Sequence, residues 1–300
     1  MSRRRNDNQG PQALCDAPVV DCAKATTPAS PLQWYGSLQS HARKIAAMLP
    51  PHDHYIEPFA GTAAVLLAQP KPSGKSKTEC ISDIDQNIAN FWRVVQRPAS
   101  RRRLVAQVEM TPYSRAVYRD CVASVREGGG DSVHRAWAFL VTCRMSRNGR
   151  GTRASYWSNS KRISNQHADS WAALPARLQK TGRRLGGVQI KCLPFEDALI
   201  DAPRTVAFLD PPYMPETRVE LGVYPHEFSH KQHQHMLQIV CKLTKTKVII
   251  CGYKNALYSE WLEGWRRTDF QTKSYAGPTI KGRKLPSRVL SIWANFASRE

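Results

Sequence analysis

The sequence predicts an α/β fold in which strands alternate with helices, and three runs predict it. Tyr55-Ile56-Glu57 reads as a short strand that turns through the small residues around Gly61 into a helix beginning near Ala64. Glu79-Cys80-Ile81-Ser82-Asp83-Ile84-Asp85 reads as a second strand ending in acids, and Thr205-Val206-Ala207-Phe208-Leu209 as a third, followed at once by Asp210-Pro211-Pro212-Tyr213. Strand, turn and helix in that order are the units of a mostly parallel sheet.

The 300 residues allow one large α/β domain with a smaller lobe. Residues 1 to about 30, rich in Pro, Ala, Thr and Asn, are expected to form a disordered basic and polar tail, with Arg3-Arg4-Arg5 as a solvated run. The eight cysteines, at 15, 22, 80, 121, 143, 192, 241 and 251, form no C-x-x-C pair, and several lie inside apolar strands. Buried free thiols in a reducing compartment account for them. No apolar run approaches the length of a membrane span, so a soluble, cytoplasmic chain without a membrane partner is expected.

The formal charge of +20 favours a polyanionic partner, and its distribution says more than its size. Arg97 to Arg184 hold 18 Lys or Arg against 5 Asp or Glu, a net of +13. Arg101-Arg102-Arg103 starts a helical stretch to Val108, and a second helix from Tyr113 to Arg126 ends at Gly128-Gly129-Gly130. Ala136 to Val141 is apolar enough for a buried helix. After it, Arg144, Arg147, Asn148, Gly149, Arg150, Gly151 and Arg153 read as a flexible basic loop before Tyr156 and Trp157, suited to gripping phosphates.

The acid, the two prolines and the aromatic ring of Asp210 to Tyr213 make a rigid cup for a flat, amino-bearing base. An exocyclic amine is a poor nucleophile because its lone pair is delocalised into the ring. Asp210 can accept one amino hydrogen and the Pro211 carbonyl the other, drawing nitrogen toward a tetrahedral geometry. The prolines, Pro211 and Pro212, fix φ and offer no competing N–H, while Tyr213 supplies a stacking ring. The same residues also make an ordinary solvated turn. Upstream, Gly61 lets backbone approach a ligand closely, and Asp83 is placed to accept ribose hydroxyls.

Downstream, His226-Glu227-Phe228-Ser229-His230 matches the zinc-protease pattern H-E-x-x-H, which needs both histidines on one helix face. Ser229 and Gln232 form a capping-box pattern that starts the helix at Ser229 and leaves His226 outside, so no metal is expected. His233 and His235 are expected to face solvent or phosphate. Lys247 to Gly252 reads as a buried strand and Leu257 to Leu262 as a helix carrying Trp261. Phe270 to Tyr275 and Val289 to Phe296 read as a hairpin around the basic loop Lys281-Gly282-Arg283-Lys284.

Taken together, Glu57-Pro58-Phe59-Ala60-Gly61, Ser82-Asp83-Ile84-Asp85, Asp210-Pro211-Pro212-Tyr213, Phe228-Ser229 and the strand Lys247 to Cys251 resemble the Dam-like, D12-type DNA adenine N6-methyltransferases. The resemblance covers most of residues 32 to 296, and the order of its motifs is similar to the α group of that family. It implies a Rossmann-like sheet of seven strands with a terminal antiparallel hairpin. It also implies S-adenosyl-L-methionine as methyl donor, double-stranded DNA as partner and base flipping before transfer. A methyltransferase domain over 31–96 and 185–300 would then flank a target-recognition insert over 97–184. By the same resemblance Asp210, Pro211, Pro212 and Tyr213 would hold the flipped adenine. Trp34, Tyr35, Gly36, Glu57, Phe59, Gly61, Asp83, Ile84, Phe195, Asp197 and Asp210 would form the donor site, with Phe195 on the donor's adenine and Asp197 toward its amino group. Arg144, Arg147, Asn148, Arg150 and Arg153 would meet DNA.

Two departures stand out. Gly36 is followed by Ser37-Leu38-Gln39 where the family continues with glycine and lysine, and Ala63 stands where it often has glycine. Cytosine N4 or an RNA adenine is an alternative acceptor, and a DNA-binding regulator without donor binding is an alternative of another class. A zinc hydrolase is the weakest reading. A monomer is the default expectation, and a cognate restriction endonuclease is a partner that the resemblance admits.

Overall fold

A computed structural model describes residues 27–74, 76–153, 157–158, 166–218, 222, 224–273 and 287–297. The tail with Arg3 to Arg5, Cys15 and Cys22, together with Tyr156 and the Lys281 to Lys284 loop, lies outside the described residues, as do the side chains of Asn148 and Arg153.

Seven strands form one sheet: β1 (His54–Glu57), β2 (Thr78–Ser82), β3 (Gln189–Lys191), β4 (Thr205–Leu209), β5 (Lys247–Gly252), β6 (Arg266–Lys273) and β7 (Ser287–Ala294). Their order is β3-β2-β1-β4-β5-β7-β6. The first five are parallel, with Tyr55 opposite Glu79 on one side and Val206 on the other. β7 runs antiparallel between β5 and β6, so the hairpin is present and β6 is the edge. The charged, half-exposed sequence of β6 suits an edge strand.

The chain leaves β1 toward β2 and β3, then returns to lay β4 and β5 on the other side of β1. Strand order therefore reverses between β1 and β4, and in open α/β sheets the crevice beyond the carboxyl ends at such a switch is where ligands bind. All five residues of β4 are buried, as expected for a central parallel strand covered on both faces.

Alternate strand residues feed two cores. Tyr55, Phe208, Ile249 and Ile292 belong to one buried cluster, and Ile56, Ala207, Leu209, Ile250 and Trp293 to the other. The second face is covered by α9 (Phe195–Ala198), α10 (His230–Val240) and α11 (Ala256–Trp261), through residues such as Phe195, Leu237 and Tyr258. The first is covered by α1 (Ala42–Met48), α2 (Ala64–Ala68) and α3 (Gln86–Gln96), and by the helices α4 (Pro98–Glu109), α5 (Arg115–Glu127), α6 (Ser132–Met145), α7 (Gln166–Ala172) and α8 (Leu174–Arg184). Leu104, Leu140 and Leu178 of this helical segment share a core with Phe91 and Trp92 of α3. α6 opens on a polar, partly exposed first turn and is buried from Ala138 to Cys143, and Gly128 ends α5 at φ 73°.

Arginine does structural work here. The Arg184 guanidinium meets the Glu79 carboxylate in two bonds of 2.7 and 2.6 Å and also donates to the Gln69 and Leu66 carbonyls, tying α8 to β2 and α2. Arg101 is buried and donates to the Val95 and Gln96 carbonyls. Among the described residues no helix is long and apolar enough to cross a membrane.

Candidate active site

The carboxyl end of β1 opens the site. Beyond Glu57 the chain turns tightly, with Gly61 at φ 43° and open space where a Cβ would stand. Ala63 follows in the left-handed region at φ 48°, the position where a glycine is the unstrained choice. Glu57 is buried and its Oε2 accepts from the Leu66 N–H (3.1 Å) and the Tyr55 hydroxyl (3.0 Å), which fixes the start of α2. Burial raises this carboxyl to about 8. Asp83, at the end of β2, accepts from the Gly61 N–H (2.9 Å) through one oxygen and from the Asp85 N–H (3.0 Å) through the other. It lines the cleft, yet protein encloses enough of it that burial raises its pKa to about 7. Asp83 thus fastens the β1 turn to the neighbouring strand while keeping its remaining lone pairs for a ligand.

Three phenyl rings form one wall. Phe59 stacks on Phe195 at 5.5 Å and 21°, and Phe228 stands edge-on to both. Trp34, Tyr35 and Gly36 line the same cleft; Gly36 has φ 80°, and a Cβ there would come within 2.6 Å of the Tyr224 hydroxyl. Ser37 Oγ meets Thr62 Oγ1 at 3.0 Å, joining that segment to the β1 turn.

β4 delivers Asp210 to the floor. Burial raises the Asp210 carboxyl to a pKa of about 7, although the Tyr213 hydroxyl nearby acts to lower it. The Tyr213 ring is 8% exposed and packs edge-on to Tyr253 at 4.9 Å. Asp210 through Tyr213 line the same cleft as Phe59, Gly61, Asp83, Ile84 and Phe195, a space of about 1240 Å³ counted out to its open mouth.

Not every expected residue arrives there. Asp197 is exposed and does not line the cleft, whereas its neighbour Glu196 does, because α9 starts at Phe195 and presents 195 and 196 to the cavity. Leu38, at the position of the family's lysine, is buried at 5% exposure. The described residues that line the cleft include no Lys or Arg, but six carboxylates: Glu57, Asp83, Asp85, Glu196, Asp210 and Glu227. Tyr224, Glu227 and His235 reach the cleft only through the tertiary fold, and nothing in their spacing points to it.

Three expectations are corrected. Arg144 does not belong to a loop: it closes α6, its guanidinium donates to Ser170 Oγ and O, and burial lowers its pKa to about 10. Residues 147–149 and 151–153 are short 3₁₀ turns rather than an open loop. His233 is fully buried rather than facing solvent. Arg147 is exposed, and the Arg150 guanidinium lies 5.3 Å over the Tyr35 ring. Tyr35 N–H donates to the Gly149 carbonyl at 3.2 Å, and a Cβ on Gly149 would strike the Gln33 backbone at 2.7 Å. The basic segment therefore abuts the cleft's rim directly.

His226 precedes α10, which begins at His230 behind a Ser229 and Gln232 capping box, so the H-E-x-x-H residues do not share one helix. Among the described residues no group of three or more His, Cys, Asp or Glu could hold a metal ion.

An adenosyl sulfonium fits this chemistry. Aromatic rings offer a slot for a purine, Asp83 offers acceptors for hydroxyls, Gly61 leaves room for close approach, and a lining rich in acids, of which Glu227 is ion-paired to Arg218, suits positive charge.

A comparison with curated proteins finds no match. Among solved structures the chain is similar to one described as "SMU.472, a putative methyltransferase complexed with SAH", at 12% identity and a TM-score of 0.25, covering 70% of this chain and 56% of that one. This chain thus spans little more than half of that structure's length, and so distant a likeness carries no argument. The sequence itself decides the matter: residues 34–275 match the model of the D12 class N6 adenine-specific DNA methyltransferases, which takes in both ends of the cleft, and the chain belongs to that family.

Proposed function

We propose that this chain transfers a methyl group from S-adenosylmethionine to N6 of an adenine in double-stranded DNA, at a specific sequence, with the base turned out of the helix into the cleft. One observation carries the reading: Asp210 to Tyr213 and the donor-side residues Phe59, Gly61, Asp83 and Phe195 line one continuous cleft at the sheet's switch point. S-adenosylmethionine supplies an already activated methyl, so the protein's part is alignment and lone-pair localisation. Asp210 accepts one amino hydrogen and the Pro211 carbonyl the other. An ionised carboxyl is the stronger acceptor, and with a pKa of about 7 this one is only part-ionised at neutral pH. Phe59 and Phe195 hold the donor's adenine, and Trp34 and Tyr35 at the rim limit the access of water to the cleft. Arg147, exposed beside the rim, grips a phosphate, and the helices over 97–184 serve as the target-recognition insert.

The test is chemical. Purified protein is incubated with double-stranded DNA, single-stranded DNA or RNA and labelled donor, and the product is digested to nucleosides for mass spectrometry. N6-methyladenosine in its deoxy form, from duplex DNA, is the expected product. N4-methylcytosine or a methylated ribonucleoside would change the acceptor. No label together with no heat of donor binding in calorimetry would leave the regulator. Sequencing of single genomic DNA molecules from cells with and without the gene then reads the recognised site.

A further inference from the structure

Behind the acceptor residues lies a buried polar group that the chemistry above leaves unused. His233 is fully buried on α10, one turn beyond the capping box that sets the helix in register. Its ring meets Phe228 edge-on at 4.7 Å, and Nδ1 lies 3.0 Å from the hydroxyl of Tyr258, itself 2% exposed on α11. The other nitrogen, Nε2, is enclosed and has no hydrogen-bond partner among the described residues, and the Pro212 backbone lies beside the ring. That neighbour matters because β4 ends at Leu209 and two successive prolines offer no N–H, so strand pairing does not fix the carbonyls of Pro211 and Pro212. Contacts of this kind are often long without substrate and tighten in the complex.

We propose that His233 is a positioning residue for methyl transfer: the Tyr258 hydroxyl donates to Nδ1, which leaves the ring hydrogen on Nε2, and Nε2–H holds the Pro212 carbonyl so that Asp210 and the Pro211 carbonyl keep facing the cleft. The inference rests on the acceptor roles proposed above. Burial, with Arg218 and His230 nearby, lowers the ring's pKa to about 4, so the imidazole is neutral and only one nitrogen carries hydrogen. The groups facing it are the Tyr258 hydroxyl on α11, His230 on its own helix, Arg218, and the Pro212 backbone.

Nitrogen-15 NMR of the imidazole in the full chain reads the tautomer without any turnover. The Nε2–H form is expected from pH 6 to pH 8; an Nδ1–H form or a protonated ring overturns the proposal. For turnover, His233→Leu is expected to lower kcat by about 10²-fold, as small misplacements of reacting groups do, with donor Kd and DNA KM within about twofold. His233→Gln, which keeps a donor near Nε2, should recover to within about fivefold of the parent kcat, and Tyr258→Phe should lower kcat while shifting the ring toward Nδ1–H. Equal losses in the Gln and Leu variants, or losses confined to donor Kd and DNA KM, overturn it. If the Leu variant does not fold, Tyr258→Phe decides: unchanged kcat and unchanged tautomer refute the relay. A parent chain that methylates no nucleic acid refutes the function proposed above, and the tautomer still tests His233.

Discussion

The cleft and the helical segment over 97–184 use charge in opposite ways. The cleft gathers six carboxylates and, among its described lining residues, no Lys or Arg. The helical segment carries a net of +13, yet its cations divide. Arg101 and Arg184 are buried under carbonyls and a carboxylate, Arg144 ties α6 to Ser170, and Arg147 stays exposed beside the rim. Strand ends fix where the acids go, whereas burial decides which arginines remain for a partner. A count of charges therefore does not say which arginines remain exposed.

Removing a buried arginine should break this division most visibly. Arg184→Ala leaves Glu79 buried and unpaired, so a loss of about 3–5 kcal/mol in unfolding free energy is expected from denaturant titration. A loss of under about 1 kcal/mol would mean that the ion pair is solvated. Arg147→Glu should leave stability unchanged, weaken DNA binding and reduce the slope of log K against log salt by about 1–2. Arg150→Glu should do the same and also weaken donor binding, because its guanidinium covers the Tyr35 ring. Equal donor affinity in both variants would uncouple the basic segment from the rim.

The acids sharpen the other half. Glu57, at about 8, and Asp83 and Asp210, at about 7, bind more protons folded than unfolded. Their contribution to stability therefore falls as pH rises from the ordinary carboxylate range to about 8. His233, with its pKa lowered to about 4 from 6.5, acts the other way only as pH falls below 6.5. Thermal melts without donor should thus drop between pH 6.5 and 8.5, and saturating S-adenosylmethionine, whose positive charge favours the ionised acids, should shrink the drop. The uncharged thioether product should shrink it less. A melt that rises over this window contradicts the assignment. The smallest effect belongs to Ala63: relief of its left-handed conformation by Ala63→Gly should change stability by no more than about 1 kcal/mol in the favourable direction, where Ala64→Gly, inside α2, should cost about 1 kcal/mol.

Much of the sheet was legible because its strands are short, apolar and bounded by acids or prolines. Glu57, Asp83 and Asp210 each end a strand, and parallel pairing alone brings strand ends together. The capping box at Ser229 was equally local and placed His226 outside the helix. Elsewhere the local signal misled. Arg144 looks like its neighbours in sequence but closes a helix, and His233 sits in a run of polar residues yet points into the core. Asp197 and Glu196 are adjacent acids, and only the starting point of α9 distinguishes them. Tyr224 and Glu227 join the cleft through a loop whose path no periodicity encodes.

If one cleft holds donor and base as proposed, the Asp210 carboxylate prepares the amine. The most direct measurement pairs two quantities on Asp210→Ala: the single-turnover methylation rate on duplex DNA and the calorimetric Kd for S-adenosylmethionine. A rate loss of about 10³-fold or more is expected, with a donor Kd within several-fold of the parent. Turnover comparable to the parent chain, or a lost donor site with the remaining rate accounted for by weak binding alone, would contradict that role.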